Sequence, residues 1–354
     1  MENEYNWKLK ETNFTKEKGK VFSCFACGGG STMGYKLAGF DVIGANDIDV
    51  KMAEVYKINN NPKYYFLESI TTLAKRKDLP KELYDLDILD GSPPCSSFSI
   101  SGNREKDWGK EKKFKEGQAK QVLDTLFFDF IDLAKELQPK VVIAENVEGI
   151  LMSKAKKYVI KIKENFEDAG YKIQHFLLNG ADMGLPQKRK RVFFIGLRND
   201  LCEKFIERHN LYDYLPTINL KFNERHILFG EIMKDYEDRP LSEHYLNFWN
   251  NRKDGDLDFS FASERMGKNK NAQFQYKFLY KNKVANTITA GDQCVLFDYP
   301  RYRNFDELCE CGSFPKDYNF LDVKPVYLIG MSVPPLMIKK IAVEIYEQWL
   351  SKIK

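Results

Sequence analysis

Three side-chain types in this sequence are spaced so that they could do chemistry. Cys95 lies in Gly91-Ser92-Pro93-Pro94-Cys95-Ser96-Ser97-Phe98-Ser99, among prolines, serines and a glycine. A packed thiol usually hides in an apolar run, so this cysteine reads as a nucleophile. Glu145 follows directly on Val141-Val142-Ile143-Ala144. A carboxylate there costs free energy unless partnered, which makes it a buried hydrogen-bond anchor or a catalytic group. Arg189 and Arg191 alternate with lysines in Gln187-Lys188-Arg189-Lys190-Arg191. In a strand both arginines would share a face and enter one pocket, with the lysines in solvent.

The elements that must position these groups follow from periodicity and turn residues. The residues from Asp87, following Tyr84-Asp85-Leu86, read as a short buried parallel strand stopped by Gly91 and Pro93-Pro94, which puts Cys95 beyond its carboxyl end, where ligands collect in open α/β sheets. Val141 to Ala144 is a second central strand, so thiol and carboxylate reach one rim. Lys20 to Ala26 is a strand, Cys27-Gly28-Gly29-Gly30 a tight loop, Ser31 to Gly39 a helix, and Phe40 to Asn46 a strand closed by Asp47. Such a βαβ unit suits a nucleoside, with backbone and helix N-terminus open to the ligand and the acid placed for both ribose hydroxyls. The glycine spacing is not Gly-x-Gly-x-x-Gly, which favours an adenosine-bearing cofactor without a pyrophosphate over a dinucleotide. Further on, Glu68-Ser69-Ile70 ends a third strand, Gln118 to Leu137 and Ser153 to Ala169 are amphipathic helices, and Tyr171 to Leu178 and Val192 to Leu197 are strands. Pro335 to about Leu350 is the final helix.

Composition bounds the class. The chain has 354 residues, 43% hydrophobic and 30% charged, as in a soluble globular protein, and no run approaches the roughly 18 apolar residues of a membrane helix. Without a basic-then-apolar leader, a cytoplasmic protein with no membrane partner is expected. Seven scattered cysteines argue against a disulfide framework, and Cys24-x-x-Cys27 lacks a second Cys/His pair, so no metal is expected. The net charge of +4 is clustered, at residues 106 to 120, 154 to 163, 188 to 191 and 268 to 283, which fits a nucleic-acid partner without demanding one.

Six ordered motifs, Phe25-Ala26-Cys27-Gly28-Gly29-Gly30, Pro94-Cys95-Ser96-Ser97-Phe98-Ser99, Glu145-Asn146-Val147, Gln187-Lys188-Arg189-Lys190-Arg191, Asn286-Thr287-Ile288-Thr289-Ala290 and Gly330-Met331-Ser332-Val333-Pro334-Pro335, resemble the cytosine-C5 DNA methyltransferase family of bacterial and phage restriction-modification type. The resemblance implies an α/β, Rossmann-like, mostly parallel sheet with helices on both faces, as in S-adenosylmethionine-dependent methyltransferases, plus a smaller target-recognition domain. It implies that Cys95 adds to C6 of a flipped-out cytosine, that Glu145 holds N3 and the exocyclic amine, that Arg191 contacts O2, and that Arg189 supports the site. S-adenosylmethionine is the implied cofactor and S-adenosylhomocysteine its product. Phe25, Ala26, Cys27, Gly28, Gly29, Gly30, Asp47, Ile48, Ser69, Ile70, Pro94, Leu126, Met331, Ser332 and Val333 are its implied contacts. Ser99 and Ser101 are placed near the DNA backbone, on a loop from Ser96 to about Gly117.

The chain departs from the family pattern at Cys27, usually glycine, at Ser69, often an acid, and at Met331, usually asparagine; cofactor contacts are expected to be weaker there. The expected division is an N-terminal arm (1–19), a catalytic and cofactor domain (20–199), a target-recognition domain (200–300), and a connector with a returning helix (301–354). In the variable stretch, where Trp249, Arg252, Arg265, Lys268, Lys270 and Gln273 are interspersed, the resemblance implies a smaller domain facing the major groove of double-stranded DNA, with arginine or glutamine side chains able to read base edges and none singled out. The expected protein is a monomer, with a cognate restriction endonuclease as a separate chain. Two rival readings stand beside it: a tRNA cytosine-5 methyltransferase, whose Cys-Phe-Thr signature the sequence lacks, and a catalytically silent DNA-binding module.

Overall fold

A computed structural model describes residues 3–94, 111–112, 121–122, 125–152, 155–208, 214–236, 239–269 and 273–353. The described chain divides into two compact units.

The larger unit holds residues 13–179, 190–221 and 337–354. Its centre is a seven-stranded sheet of β1 (Lys20–Cys24), β2 (Asp41–Asp47), β3 (Tyr64–Leu67), β4 (Ile88–Gly91), β5 (Val141–Val147), β6 (Tyr171–Asn179) and β7 (Lys190–Arg198), in the order β3-β2-β1-β4-β5-β7-β6. The first five are parallel, and β7 runs antiparallel between β5 and β6. Helices α1 (Gly30–Leu37) and α2 (Val50–Asn60) connect β1 to β2 and β2 to β3. Asp49 caps α2, its side chain accepting from the amides of Lys51 and Met52, which fits the preference for aspartate before a first helical turn.

The single turn α3 (Ile70–Leu73), α4 (Leu126–Leu137) and α5 (Lys156–Asp168) complete the unit's first five helices. The apolar stripe of α4, Leu126, Phe127, Phe130, Ile131, Leu133, Ala134 and Leu137, is buried in one cluster with Phe22, Leu89, Val142 and Phe194. Phe127 meets Phe194 and Phe166 edge-on, with ring centroids at 5.6 and 6.3 Å. Each such fully buried side chain contributes about 1.5–3 kcal/mol, so α4 is held to the sheet mainly by this face. The helix expected from Gln118 starts only at Leu126, because Gln121–Val122 instead pair antiparallel with Glu111–Lys112.

The smaller unit holds residues 1–12, 180–189 and 222–336. It is built on short helices α6 (Phe229–Ile232), α7 (Glu243–Asn250), α8 (Phe259–Arg265), α9 (Phe305–Gly312) and α10 (Pro325–Met331). Its aromatic core packs Phe248, Phe259, Tyr276 and Phe278, with Phe259 and Tyr276 stacked at 5.5 Å. Two buried ion pairs stiffen it: Arg301 grips both carboxylate oxygens of Glu307, and Arg303 meets Asp292 at 2.7 Å. The first residues are ordered against this unit: the Trp7 indole donates to the Ser313 carbonyl, and the Leu9 and Lys10 amides donate to Asp317. The division thus differs from the one expected from sequence. The 1–19 arm is shared between the units, and residues 180–189 and 301–336 fall in the smaller one.

The stretch Pro325–Lys352 is long and apolar enough by length and composition alone to cross a membrane, as a buried core helix of a soluble protein also is. Its most apolar part is mostly buried in the protein, and Ser332–Pro334 break the stretch into α10 and α11 (Pro335–Gln348).

Candidate active site

The register of the sheet brings one rim together. Gly91, the last residue of β4, pairs with Cys24 on one side and Ala144 on the other, and Glu145 comes one step beyond Ala144. The strand β5 continues through Val147, further than the apolar run alone predicts, because β7 pairs with it along its whole length. Arg191 stands opposite Val147, and its Nε lies 2.7 Å from Glu145 Oε1, with side-chain exposures of 15% and 10%. Asn146 turns inward and its side-chain amide donates to the Pro93 carbonyl at 3.2 Å, tying the turn after β4 to the end of β5. That turn leads into Cys95. Cys95, Ser99 and Ser101 lie outside the described residues, as does Lys270.

On the other side of β4 the chain bends sharply after β1. Phe25 (φ 52°), Cys27 (φ 46°) and Gly29 (φ 80°) all adopt left-handed backbone. Only Gly29 does so freely, and a Cβ there would meet Asn60 Nδ2 at 2.5 Å. Asp47, at the end of β2, holds this loop. Its Oδ2 accepts from the Cys27 amide at 2.7 Å and its Oδ1 from the Asp49 amide at 2.9 Å. Burial pushes the Asp47 carboxyl above its ordinary value, while the amides of Asp49 and Cys27 pull it back. Ile48 is half-buried beside it. Asn46 donates to the carbonyls of Phe66 and Glu68 and so fixes the next turn, in which Ser69 caps α3 through the Thr72 amide and Ile70 is buried.

Arg189 goes elsewhere. It precedes β7, is 1% exposed, and donates to the carbonyls of Ile288 (2.9 Å), Gly330 (3.0 Å) and Ser332 (2.8 Å). Gln187 works alongside it, donating to the Cys311 carbonyl and accepting from the Ile288 amide. Gly330 packs so closely on residues 289–290 that a Cβ would lie 2.5 Å from the Thr289 carbonyl carbon. Three separated motifs, 187–189, 286–290 and 330–335, therefore meet in the smaller unit. Ser332 and Val333 are buried in it, whereas Met331 is 46% exposed. The expectation that Arg189 and Arg191 share a strand face is corrected: β7 begins between them, so strand alternation does not extend to Arg189.

Comparison with known proteins places this architecture. The family model for C-5 cytosine-specific DNA methylase matches residues 19–347. The chain belongs to that family. The Type II methyltransferase M.DdeI of Desulfomicrobium norvegicum is 39% identical over 183 residues, 51% of this chain and 41% of that protein. M.NgoPII of Neisseria gonorrhoeae is 35% identical over 52% of this chain and 50% of its own length. The chain spans about half the length of these curated relatives. M1.HphI of Haemophilus parahaemolyticus is 27% identical over 90% of this chain and 84% of its own. Among solved structures, the Dnmt2 methyltransferase of S. pombe superposes with a TM-score of 0.60 at 17% identity, covering 93% of this chain and 98% of that one. Spodoptera frugiperda DNMT2 gives 0.59 at 19% identity, covering 91% and 98%. These likenesses show the methyltransferase fold.

Members of this family use S-adenosylmethionine generally, and the loop after β1 offers groups that such a cofactor would need. The left-handed run from Phe25 to Gly29 opens main-chain groups at the start of α1, and each Asp47 oxygen retains lone pairs for a ribose hydroxyl. The Tyr65 hydroxyl, packed near Asp47, Cys27 and Asp49, is buried with no hydrogen-bond partner among the described residues, as expected beside a polar ligand. The residues fit an adenosine-bearing cofactor. Leu126, at the start of α4, is buried in the core, and Pro94 is half-buried at the rim.

Sequence reasoning passed over Asn146, Gln187, Tyr65 and Asp90 as positioned groups. Asp90 had a usable signal, a carboxylate inside an apolar strand, which was applied only to Glu145. Several variable-stretch candidates are engaged in the structure. Arg252 lies 3.2 Å from the Trp249 ring centroid and donates to main-chain carbonyls, the Trp249 indole donates to the Leu296 carbonyl, and Arg265 pairs with Asp256. Lys268 sits over the Phe248 ring, and Gln273 is half-buried with left-handed backbone.

Proposed function

We propose that this protein methylates C5 of a flipped-out cytosine within a short DNA sequence, as the DNA-modifying partner of a restriction endonuclease carried on a separate chain. The observation that carries the reading is the rim where Arg191 holds Glu145 beside the Asn146-anchored turn that leads to Cys95. Carbon 5 of cytosine is not nucleophilic until an electron pair enters the ring. The Cys95 thiolate forms a bond to C6, and the displaced electrons move toward N3, where Glu145 supplies a hydrogen bond or proton. Arg191, already within reach of Glu145, keeps that carboxyl oriented and meets the cytosine O2. S-adenosylmethionine would supply the electrophilic methyl group that C5 takes up, its sulfonium sulfur keeping the electron pair of the broken bond. Loss of the C5 proton then lets the C6–sulfur bond break and returns Cys95 as thiolate.

The Phe25–Gly30 loop, Asp47, Ile48, Ser69, Ile70 and Tyr65 would hold the adenosine and methionine parts, with Pro94 and Leu126 as further contacts. The target base is inaccessible inside a duplex, and flipping costs a few kcal/mol, offset by pocket contacts. Ser99 and Ser101 are assigned to the backbone of the flipped nucleotide. The smaller unit, with its aromatic core and exposed Phe274 and Leu257, is assigned to target recognition. A monomer in the cytoplasm, where its DNA lies, completes the reading.

Bisulfite sequencing of a plasmid from cells expressing the protein, beside the Cys95→Ala variant, tests it. The expected result is protected cytosines in one recurring context, absent from the variant. Unprotected plasmid together with methylated tRNA cytosines would replace DNA by RNA as substrate; a Cys95→Ala variant that still methylates would remove the covalent mechanism.

A further inference from the structure

Asp90 is a fully buried carboxylate in the centre of the sheet that the methyl-transfer chemistry does not use. It lies on β4 between Ser23 of β1 and Ile143 of β5 in register. Its Oδ2 accepts from the Ser23 hydroxyl at 2.7 Å and its Oδ1 from the Tyr35 hydroxyl at 3.1 Å, and the Ser31 hydroxyl lies near enough to interact with the same carboxylate. Ser31 and Tyr35 belong to α1, and Ser31 is that helix's second residue, directly after the Cys27–Gly29 bend. The loop that fits the cofactor is therefore tied at two places: Asp47 holds the Cys27 amide at one end, and Asp90 holds α1, which follows the loop, through Tyr35.

We propose that Asp90 is a positioning residue for the cofactor, holding the start of α1 on the sheet through Ser31 and Tyr35 and making cofactor affinity depend on pH. This rests on the reading of the Phe25–Gly30 loop as the cofactor site. Ionised, the carboxylate only accepts, and the Ser23 and Tyr35 hydroxyl donors suit it. Protonated, one oxygen becomes a donor and a hydroxyl must turn away, which loosens the first turn. Burial raises the Asp90 carboxyl to about 7, the Ser23 and Tyr35 bonds oppose this, and the Glu145 charge adds to it, so the change falls in the neutral range. The other titratable groups interacting with it are Cys24 of β1, Tyr35 of α1, Tyr56 of α2 and Glu145 of β5. Burial holds the thiol and both phenols up, so they stay neutral there.

The test is calorimetric titration of the full chain with S-adenosylhomocysteine from pH 6 to 8.5, for the wild type, Asp90→Asn and Ser31→Ala. Binding by the wild type tests the cofactor reading by itself; its absence would overturn that reading and leave the role of Asp90 without an object. Given binding, the wild-type Kd should weaken as pH falls through 7. Asp90→Asn should bind about tenfold more weakly at pH 8, as expected for the loss of one charge-assisted hydrogen bond, and with no pH dependence. Ser31→Ala removes a donor without touching the carboxylate and should weaken binding about threefold at pH 8. It decides the question if Asp90→Asn does not fold. An Asp90→Asn Kd within twofold of wild type, or one that keeps the pH dependence, overturns the proposal, as does unchanged binding by Ser31→Ala.

Discussion

Replacing Arg189 by alanine separates a structural role from a catalytic one. The wild-type guanidinium donates to three main-chain carbonyls, those of Ile288, Gly330 and Ser332, at 2.8–3.0 Å, and is 1% exposed. A hydrogen bond to a charged group contributes about 1.5–3 kcal/mol, and a buried acceptor left without a partner costs about 1–3 kcal/mol. The three bonds share one donor and lie in one network, so their losses do not simply add. A destabilisation of about 4 kcal/mol is expected. At roughly 2–4 °C per kcal/mol this lowers the melting midpoint by about 10 °C, read by scanning calorimetry without ligand. Arg189→Lys, whose compact ammonium lacks the planar fork needed to reach all three carbonyls, should lose about half as much. The loss should appear in stability first, with methyl transfer following the folded fraction. An alanine variant that melts within ~2 °C of wild type yet loses turnover would refute the argument and put the guanidinium on the substrate.

Two further perturbations read the same structure. Because burial raises the Asp90 carboxyl from its ordinary value of 3.8 to about 7, the folded state holds that proton where the unfolded chain has lost it, so the group's contribution is present below pH 4 and lost as pH rises to 7. Asp90→Asn should therefore gain stability relative to wild type over that range, by about 4 kcal/mol in total, and a difference between their urea-unfolding free energies that does not change with pH would contradict it. Cys27 carries a left-handed backbone at φ 46°, which costs a side-chain-bearing residue about 1–2 kcal/mol, against about 0.4–1 kcal/mol for the extra chain freedom of glycine. Cys27→Gly should be more stable by about 0.5 kcal/mol or more in urea unfolding and should bind S-adenosylhomocysteine at least as tightly; a clear loss of either would mean the thiol makes contacts that outweigh the strain.

What could be read from sequence was whatever obeys a local period or a local turn. The β1–α1–β2 unit, the end of β4 at the Gly91 turn, and Glu145 at the carboxyl side of an apolar run are such features, and each stands within a residue or two of its expected place. Where a long-range partner decides, reading failed. β5 runs on through Val147 because β7 pairs with it, and the start of α4 retreats to Leu126 because Gln121–Val122 pair with Glu111–Lys112. Asp90 looked like one more residue of a buried strand because its three partners come from β1 and α1, neither of which is near it in sequence.

The run from Gln187 to Arg191 makes the same point about function. Two arginines spaced by one residue suggest a shared strand face, but that inference holds only if both are in the strand. Arg189 is the last residue of the segment that belongs to the smaller unit and Lys190 the first that belongs to the larger, with β7 starting there. The spacing therefore marks a hand-over of the chain. Gln187 and Arg189 bind main-chain groups of residues 288, 311, 330 and 332, while Arg191 binds Glu145. Both arginine positions call for the planar guanidinium, one to span three carbonyls and the other to orient a carboxylate. A charge-rich pentapeptide that composition alone would assign to solvent or to phosphates thus has two of its three most constrained side chains committed to holding backbone and one committed to the buried Glu145 carboxylate.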